Sequence, residues 1–274
     1  MGSIQKTQEA AMTLIKLDTH TIDQGTLPCT DLKNPNSPEL FTYNRDWLLD
    51  RFEEGMVIIK LDTSKDAFIE YVPAEFAWKP IHAPGYTFIN HVYVEDDGPE
   101  QWLKSELLQT AETNNSKSNG MVIMLENKDF NRDRDFYLQR GYLKHAHIPG
   151  FTMLVKKFKT EIPVPAFAMP ISEKSNPLNR HGIRISYADQ SAFVNYYIHE
   201  MKVIFEDMGF NVEMHRIDTP ENARKSCSPY GTFGVYMDGH FLTHKLLNKH
   251  GIEELIGSLD LNEMYPEYKY LIAS

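Results

Sequence analysis

A mixed α/β chain of two units is the fold class that this sequence predicts, and three observations predict it. Short apolar strand patterns alternate with helical ones through the first 158 residues, a proline-dense stretch follows, and a second alternation begins near residue 182. The 274 residues are 42% hydrophobic and 24% charged, proportions that allow two separate cores to be buried. Lys and Arg number 28 against 38 Asp and Glu, a formal net charge of −10 without the clustered basic surface that a phosphate backbone requires. Nucleic acid is therefore not an expected partner. Cys29 and Cys227 stand far apart with no CxxC pattern, which argues for a reduced compartment and against a disulfide scaffold or a thiolate zinc site. No apolar run reaches the roughly 20 residues of a membrane helix. Residues 1–12 are polar, so a cytoplasmic protein with a frayed N-terminus is expected.

Each element has its own local reason. Residues 13–17 read as a strand, followed by an irregular stretch holding Pro28, Pro35 and Pro38. Asn44 caps a helix over 45–54 whose Trp47, Leu48, Arg51 and Phe52 fall at helical spacing and whose end Gly55 marks. Residues 56–61 and 67–72 form a hairpin around a turn at 62–66, and 86–94 add a further strand. A helix over 101–112 carries Trp102, Leu103, Leu107 and Leu108 on one side; 121–125 is a buried-type strand, 133–139 a short helix and 151–156 a closing strand.

Pro163, Pro165, Pro170 and Pro177 make 159–179 an extended linker, because proline at that density blocks both helix and central strand. The expected division is a unit at 13–158, the linker, and a second unit at 180–274. In the latter, 182–187 is a strand, 193–208 a helix closed by Gly209, and 211–216 a strand. Thr219 then caps a helix with Pro220 at its first position. Residues 232–237 and 240–243 flank Asp238-Gly239, a two-residue hairpin signal, and a helix over 251–259 closes the unit. This order is that of a thioredoxin-like domain.

The segment Phe136-Tyr137-Leu138-Gln139-Arg140-Gly141-Tyr142 resembles the signature near the end of GNAT-superfamily N-acetyltransferases. Together with Phe68-Ile69-Glu70-Tyr71-Val72-Pro73-Ala74-Glu75-Phe76-Ala77-Trp78 and the stretch from Thr232 to His244, it is similar to the YoaP-like subgroup, in which a GNAT-like mixed sheet domain precedes a small thioredoxin-like one. The resemblance implies acyl transfer from acetyl-CoA or another acyl donor to a small amine-bearing molecule. It also implies that pantetheine runs beside a splayed strand and that a glycine-rich turn holds the pyrophosphate. The matching turn is Asp97-Gly98-Pro99-Glu100-Gln101-Trp102, where Glu100 and Trp102 replace small residues. Pro99 lacks an N–H, and Glu95, Asp96, Asp97 and Glu100 crowd carboxylates where phosphates would sit, which suggests a donor less anionic than CoA. Acidic residues there equally complement a helix dipole.

Direct transfer needs a base for the amine and an acid for the leaving thiolate. By the resemblance, Tyr137 is the acid and Val92, Val94, Gly98 and Asn127 touch the cofactor. Glu70, sharing a strand face with Phe68 and Val72, and His91, midway along the strand 86–94, are the base candidates. Each has a structural alternative: Tyr137 as a packing residue, Glu70 as an edge-strand residue facing solvent, His91 as a satisfied core histidine, Asn127 as an ordinary loop residue. The pairs His145/His147 and His240/His244 lack a third convergent ligand in sequence, and no metal site is expected. Ser191 takes the place of the redox thiol in the second unit, so no redox dithiol is expected, and Cys227 reads as a packed small residue. The second unit is then expected to be a structural or recognition module that covers the cleft of the first. A CoA-independent enzyme on the same fold, with or without a metal, and a noncatalytic partner protein stay open, as does a homo-oligomer.

Overall fold

The computed structural model describes residues 13–22, 44–63, 66–95, 101–168, 182–226 and 228–259. In the first unit the elements run β1 (Leu14–Leu17), α1 (Arg45–Glu53), β2 (Val57–Leu61), β3 (Ala67–Pro73), β4 (Ile81–His82), β5 (Thr87–Val94) and α2 (Gln101–Asn114). They continue as β6 (Gly120–Glu126), α3 (Asn127–Leu138), β7 (Leu143–Ile148), β8 (Phe151–Lys157) and β9 (Ala166–Phe167). Seven of the strands form one sheet in the order β1-β2-β3-β5-β6-β8-β7. Every neighbouring pair is antiparallel except β5 and β6, which run parallel and are joined through α2. Asn44 caps α1 as expected, its side chain accepting from the Asp46 N–H at 3.1 Å.

Three elements differ from the sequence reading. The strand β7, read from the sequence only as a candidate strand at His145 and His147, takes in the whole of an almost entirely exposed run, Leu-Lys-His-Ala-His-Ile, which lacks apolar alternation to mark its bounds. Helix α3 begins six residues earlier than the predicted 133, because its first turns (Asn127, Lys128, Asp129, Asn131, Arg132) are polar and carry no periodic apolar signal. The stretch 159–168 is anchored: β9 pairs with β4, the Ala168 N–H donates to the Pro80 carbonyl at 2.8 Å, and the Pro165 carbonyl meets His145 Nε2 at 2.7 Å. Prolines permit this because a two-residue edge pairing needs few donors.

The two faces of the large sheet bury different things. One face carries Ile69, Tyr71, Ile89 and Ile123 beneath α2 and α3, which contribute Leu103, Leu107, Leu108, Phe136 and Tyr137. The other carries Ile58, Phe68, Val72, Phe88 and Val122 beneath Trp47 and Leu48 of α1, Trp78, and Ala188, Ile217 and Ala223 from the second unit. The second unit's four strands, β10 (Ile183–Tyr187), β11 (Val212–Arg216), β12 (Phe233–Met237) and β13 (His240–Thr243), take the order β11-β10-β12-β13. Strands β10 and β11 are parallel and the others antiparallel. Helices α4 (Ala192–Asp207), α5 (Pro220–Arg224) and α6 (Lys249–Gly257) complete it. Asp238 and Gly239 both take positive φ, 48° and 85°, as a tight two-residue hairpin requires. Among the described residues no helix is long and apolar enough to cross a membrane.

A buried ion pair ties α2 to α3: Lys104 Nζ lies 3.0 Å from Asp133 Oδ2, with side chains only 5% and 10% exposed. Burial pushes the Asp133 carboxyl up, but hydrogen bonding from Arg132 and the Lys104 charge outweigh it and hold the group below its ordinary 3.8. Asp133→Ala leaves the Lys104 ammonium buried alone and is expected to cost roughly 3–5 kcal/mol in urea denaturation, whereas Lys104→Met with Asp133→Leu recovers most of it. A depressed folded-state value means that this stabilisation is present above 3.8 and is lost as pH falls below it.

Candidate active site

The site begins with one extra residue. Strands β3 and β5 pair Phe68 with Tyr93, Ile69 with Val92 and Glu70 with His91, then Tyr71 with Ile89, so that Asn90 is unpaired opposite Glu70. In such a bulge two residues of one strand oppose one of the other. The register sets Glu70 and His91 on the face of Phe68 and Tyr93, whose rings lie 5.4 Å apart. Asn90 points to the same side, its Nδ2 donating to Glu70 Oε1 at 2.6 Å. Glu70 is only 2% exposed: β3 is an interior strand between β2 and β5, and the face that Glu70 shares with Phe68 and Val72 is covered by α1, Trp78 and the second unit. The reading of Glu70 as a solvent-facing edge residue is thereby corrected. The sheet order and the cover on this face, not the strand's own sequence, decide this.

Next to the bulge the sheet opens. Strands β5 and β6 are paired only from Thr87, Phe88 and Ile89 to Met121, Val122 and Ile123, although β5 continues to Val94 and β6 to Glu126. Side chains are buried in the paired part and half-exposed beyond it, at Asn90, His91, Val92 and Tyr93 on one strand and Met124, Leu125 and Glu126 on the other. Val94, at the end of this edge, is buried beneath α2 and α3. Asn127 is not a loop residue: it opens α3, is exposed, and its Oδ1 accepts from Thr152 Oγ1 at 3.1 Å. Gly98, with the rest of 96–100, lies outside the described residues, as do Cys29 and Cys227.

Tyr137 sits on the opposite face of the sheet from Glu70 and His91, in the core under α2 and α3. Its ring meets Phe136 at 5.1 Å and Tyr142 at 5.5 Å, both edge to face, and the side chain is 2% exposed. The structure thus brings Glu70, Asn90 and His91 together on one face and keeps Tyr137 on the other, with the opening between β5 and β6 the break in the sheet between them. Among the described residues no three His, Cys, Asp or Glu are grouped as a metal site.

Sequence reasoning missed the far wall. The register pairs Glu126 with Phe151 and Met124 with Met153, placing Glu126 on the face of Glu70 and His91. Tyr230, from the second unit, donates its hydroxyl to Glu126 Oε1 at 2.5 Å and meets the Phe151 ring at 5.7 Å. His244 stacks on Tyr230 at 4.8 Å, and Lys79 Nζ lies 4.7 Å above the same ring. Burial pushes the Glu126 carboxyl up, yet hydrogen bonds from Tyr230 and Lys128 and the Lys128 charge hold it below the ordinary carboxylate value. Burial holds the His244 imidazole below its ordinary 6.5, so it is neutral near pH 7. Tyr230 and Glu126 are 104 residues apart, and no local pattern joins them. In the sequence His244 stands out only as the end of the stretch from Thr232 and as half of a histidine pair with His240.

Asn90→Ala removes the donor that faces Glu70 and is expected to destabilise the fold by about 1–3 kcal/mol, read from the denaturation midpoint, while Asn90→Asp sets two carboxylates face to face and is expected to cost more.

A family profile described as YoaP-like matches residues 212–253. The Bacillus subtilis (strain 168) protein named "uncharacterized N-acetyltransferase YoaP" is 28% identical over 241 residues, covering 84% of this chain and 93% of that one. Among solved structures, the PaiA N-acetyltransferase of Thermoplasma acidophilum in complex with coenzyme A aligns with 54% of this chain and 99% of its own, at 12% identity and a TM-score of 0.40. The ribosomal-protein-S18-alanine N-acetyltransferase of Escherichia coli aligns with 56% and 99%, at 11% identity and a TM-score of 0.38. The chain is accordingly a mixed α/β protein, similar along most of its length to the B. subtilis YoaP protein and matching a YoaP-like family profile over 212–253 in its second unit.

Proposed function

We propose that this chain is a GNAT-type acyltransferase that moves an acetyl or other acyl group from a CoA thioester to a small amine. The observation that carries the reading is the opening between parallel strands β5 and β6 beside the bulge at Asn90. Parallel neighbours that stop pairing in mid-strand leave backbone N–H and C=O groups unsatisfied, and buried groups of that kind demand partners. The amides of a pantetheine arm match that demand. The relative's name points the same way.

The described residues fit the cofactor's arm: Val92 and Val94 lie along the open edge of β5, and Asn127 begins the helix at the end of β6. Acetyl-CoA, when bound, supplies a thioester carbonyl and a thiolate leaving group. On this reading backbone N–H groups of β5 donate to the carbonyl oxygen, the interaction from which acyl transfer gains most. Glu70 or His91 takes a proton from the attacking amine on one face, and Tyr137 gives its hydroxyl proton to the departing sulfur from the other. Acid and base on opposite faces suit a thioester that passes through the sheet. They are kept apart, so neither quenches the other.

The second unit is read as thioredoxin-like on its strand order β11-β10-β12-β13, with Ser191, wholly buried, in place of a redox thiol. The division of the chain at 159–179 and a cytoplasmic setting belong to the same reading.

Titration calorimetry with acetyl-CoA and with desulfo-CoA tests it directly. Micromolar binding of both is the expected result; no heat at millimolar ligand, with an unchanged melting temperature, would refute acyl transfer and turn attention to CoA-independent chemistry around His91 and Glu70. Tyr137→Phe is expected to lower kcat by roughly 10²- to 10⁴-fold and leave acetyl-CoA affinity unchanged, measured by thiol release and calorimetry. An equal loss of affinity would mark Tyr137 as a packing residue.

A further inference from the structure

The second unit does not hang from the first by its linker alone. Ala188, Ile217 and Ala223 lie in the same apolar cluster as Val72 and Phe88, on the sheet face that bears Glu70 and His91. Polar contacts follow the same seam: the Asn44 N–H donates to the Gln190 carbonyl at 3.0 Å, and the Arg224 guanidinium to the Glu75 carbonyl. At its centre Gly231, at φ +69°, passes so near the backbone of Trp78 that a Cβ would overlap the Trp78 carbonyl oxygen. Trp78 itself holds a positive φ of 52°, a conformation that a bulky residue adopts only where its surroundings impose it. The surroundings are visible. Trp78 Nε1 donates to Glu54 Oε2 at 3.0 Å, and the Arg51 guanidinium lies 4.2 Å above the Trp78 ring. A close approach of two backbones, admitted by a glycine and a strained tryptophan, fixes the residue beside it. That residue is Tyr230.

We propose that the second unit completes the acceptor side of the cleft, and that Tyr230 is a positioning residue that orients the Glu126 carboxylate for pairing with the ammonium group of the amine substrate. The inference rests on the acyl-transfer reading above and deepens it. Glu126 ends the open edge of β6, on the face of Glu70 and His91, and is half-exposed, so one carboxylate stands on each side of the opening. The Tyr230 hydroxyl reaches Glu126 Oε1 at 2.5 Å, while the ring is held between Phe151, His244 and Lys79. Lys128 pairs with Oε2 at 3.0 Å but is itself 74% exposed, so water competes for it and a substrate ammonium can replace it. An amine must arrive protonated near pH 7 and be relieved of its proton at the site. Glu126 meets the first need and Glu70 or His91 the second.

Tyr230→Phe in the full chain keeps the ring and deletes the hydroxyl; Glu126→Gln keeps the shape and deletes the charge. Three protonated probes, phenethylamine, spermidine and L-lysine, are titrated calorimetrically and then assayed for thiol release with acetyl-CoA. For whichever probe the wild type binds best, each variant is expected to weaken binding and raise KM about tenfold with kcat little changed. The double variant is expected to lose no more than either alone, because both delete one interaction. Gly231→Ala, which forces the seam apart, gives the same KM effect with a lowered melting temperature. Additive losses, equal binding by wild type and Tyr230→Phe, or no binding of any probe by the wild type would each overturn the inference. Failure of acetyl-CoA to bind the wild type overturns acyl transfer instead and leaves the amine comparison intact.

Discussion

A single residue, Asn90, inserted into β5 opposite Glu70, is the constraint on which the rest of the architecture turns. Bulges bend a strand and increase its twist. Past this one, β5 and β6 no longer pair, and a sheet that otherwise runs unbroken over seven strands acquires an opening in its middle. The same insertion sets Asn90 and His91 on one side with Glu70, where alternation alone would have divided them. Burying the Glu70 carboxylate is costly unless a donor meets it, and the Asn90 amide at 2.6 Å does so.

The opening has meaning only because the two faces are covered by different elements. Helices α2 and α3 close one face, tied by the Lys104–Asp133 pair and by the Arg140 guanidinium, which reaches the Ser105 hydroxyl and lies 3.8 Å above the Phe136 ring. The other face is shared between α1 and the second unit. There the Arg51 guanidinium lies 4.7 Å from the Trp47 ring and 4.2 Å from the Trp78 ring, and the stack braces the loop against which Gly231 packs. A substrate on this side would meet residues from both units at once. That is the physical difference between an appended domain and one that forms part of the site.

Electrostatics follow the same division. Glu126 keeps its charge although partly buried, because Tyr230 and Lys128 hydrogen-bond to the ionised form. His244, more deeply set among Phe151, Tyr230 and Phe241, stays neutral. The seam between the units therefore sets one carboxylate, Glu126, among aromatic rings and beside the Lys128 and Lys79 ammonium groups.

What the sequence by itself determined is what short-range chemistry determines. Asn44 and Gly55 bound α1, Thr219 and Pro220 start α5, Asp238-Gly239 turns the last hairpin, and the runs 67–72 and 86–94 are strands, with Glu70 on the face of Phe68 and Val72. Polar stretches hid what they built: the first turns of α3 and the exposed β7 carry no apolar period to read. Burial of Glu70, separation of Tyr137 from Glu70 and His91 by the sheet, and the meeting of Glu126 with Tyr230 were decided only by tertiary structure. Each depends on which strand lies beside which, or on a contact across 104 residues, and neither is written in local periodicity. A bulge shifts register by one residue without changing composition, so the opening at its centre becomes visible only once the strands have paired.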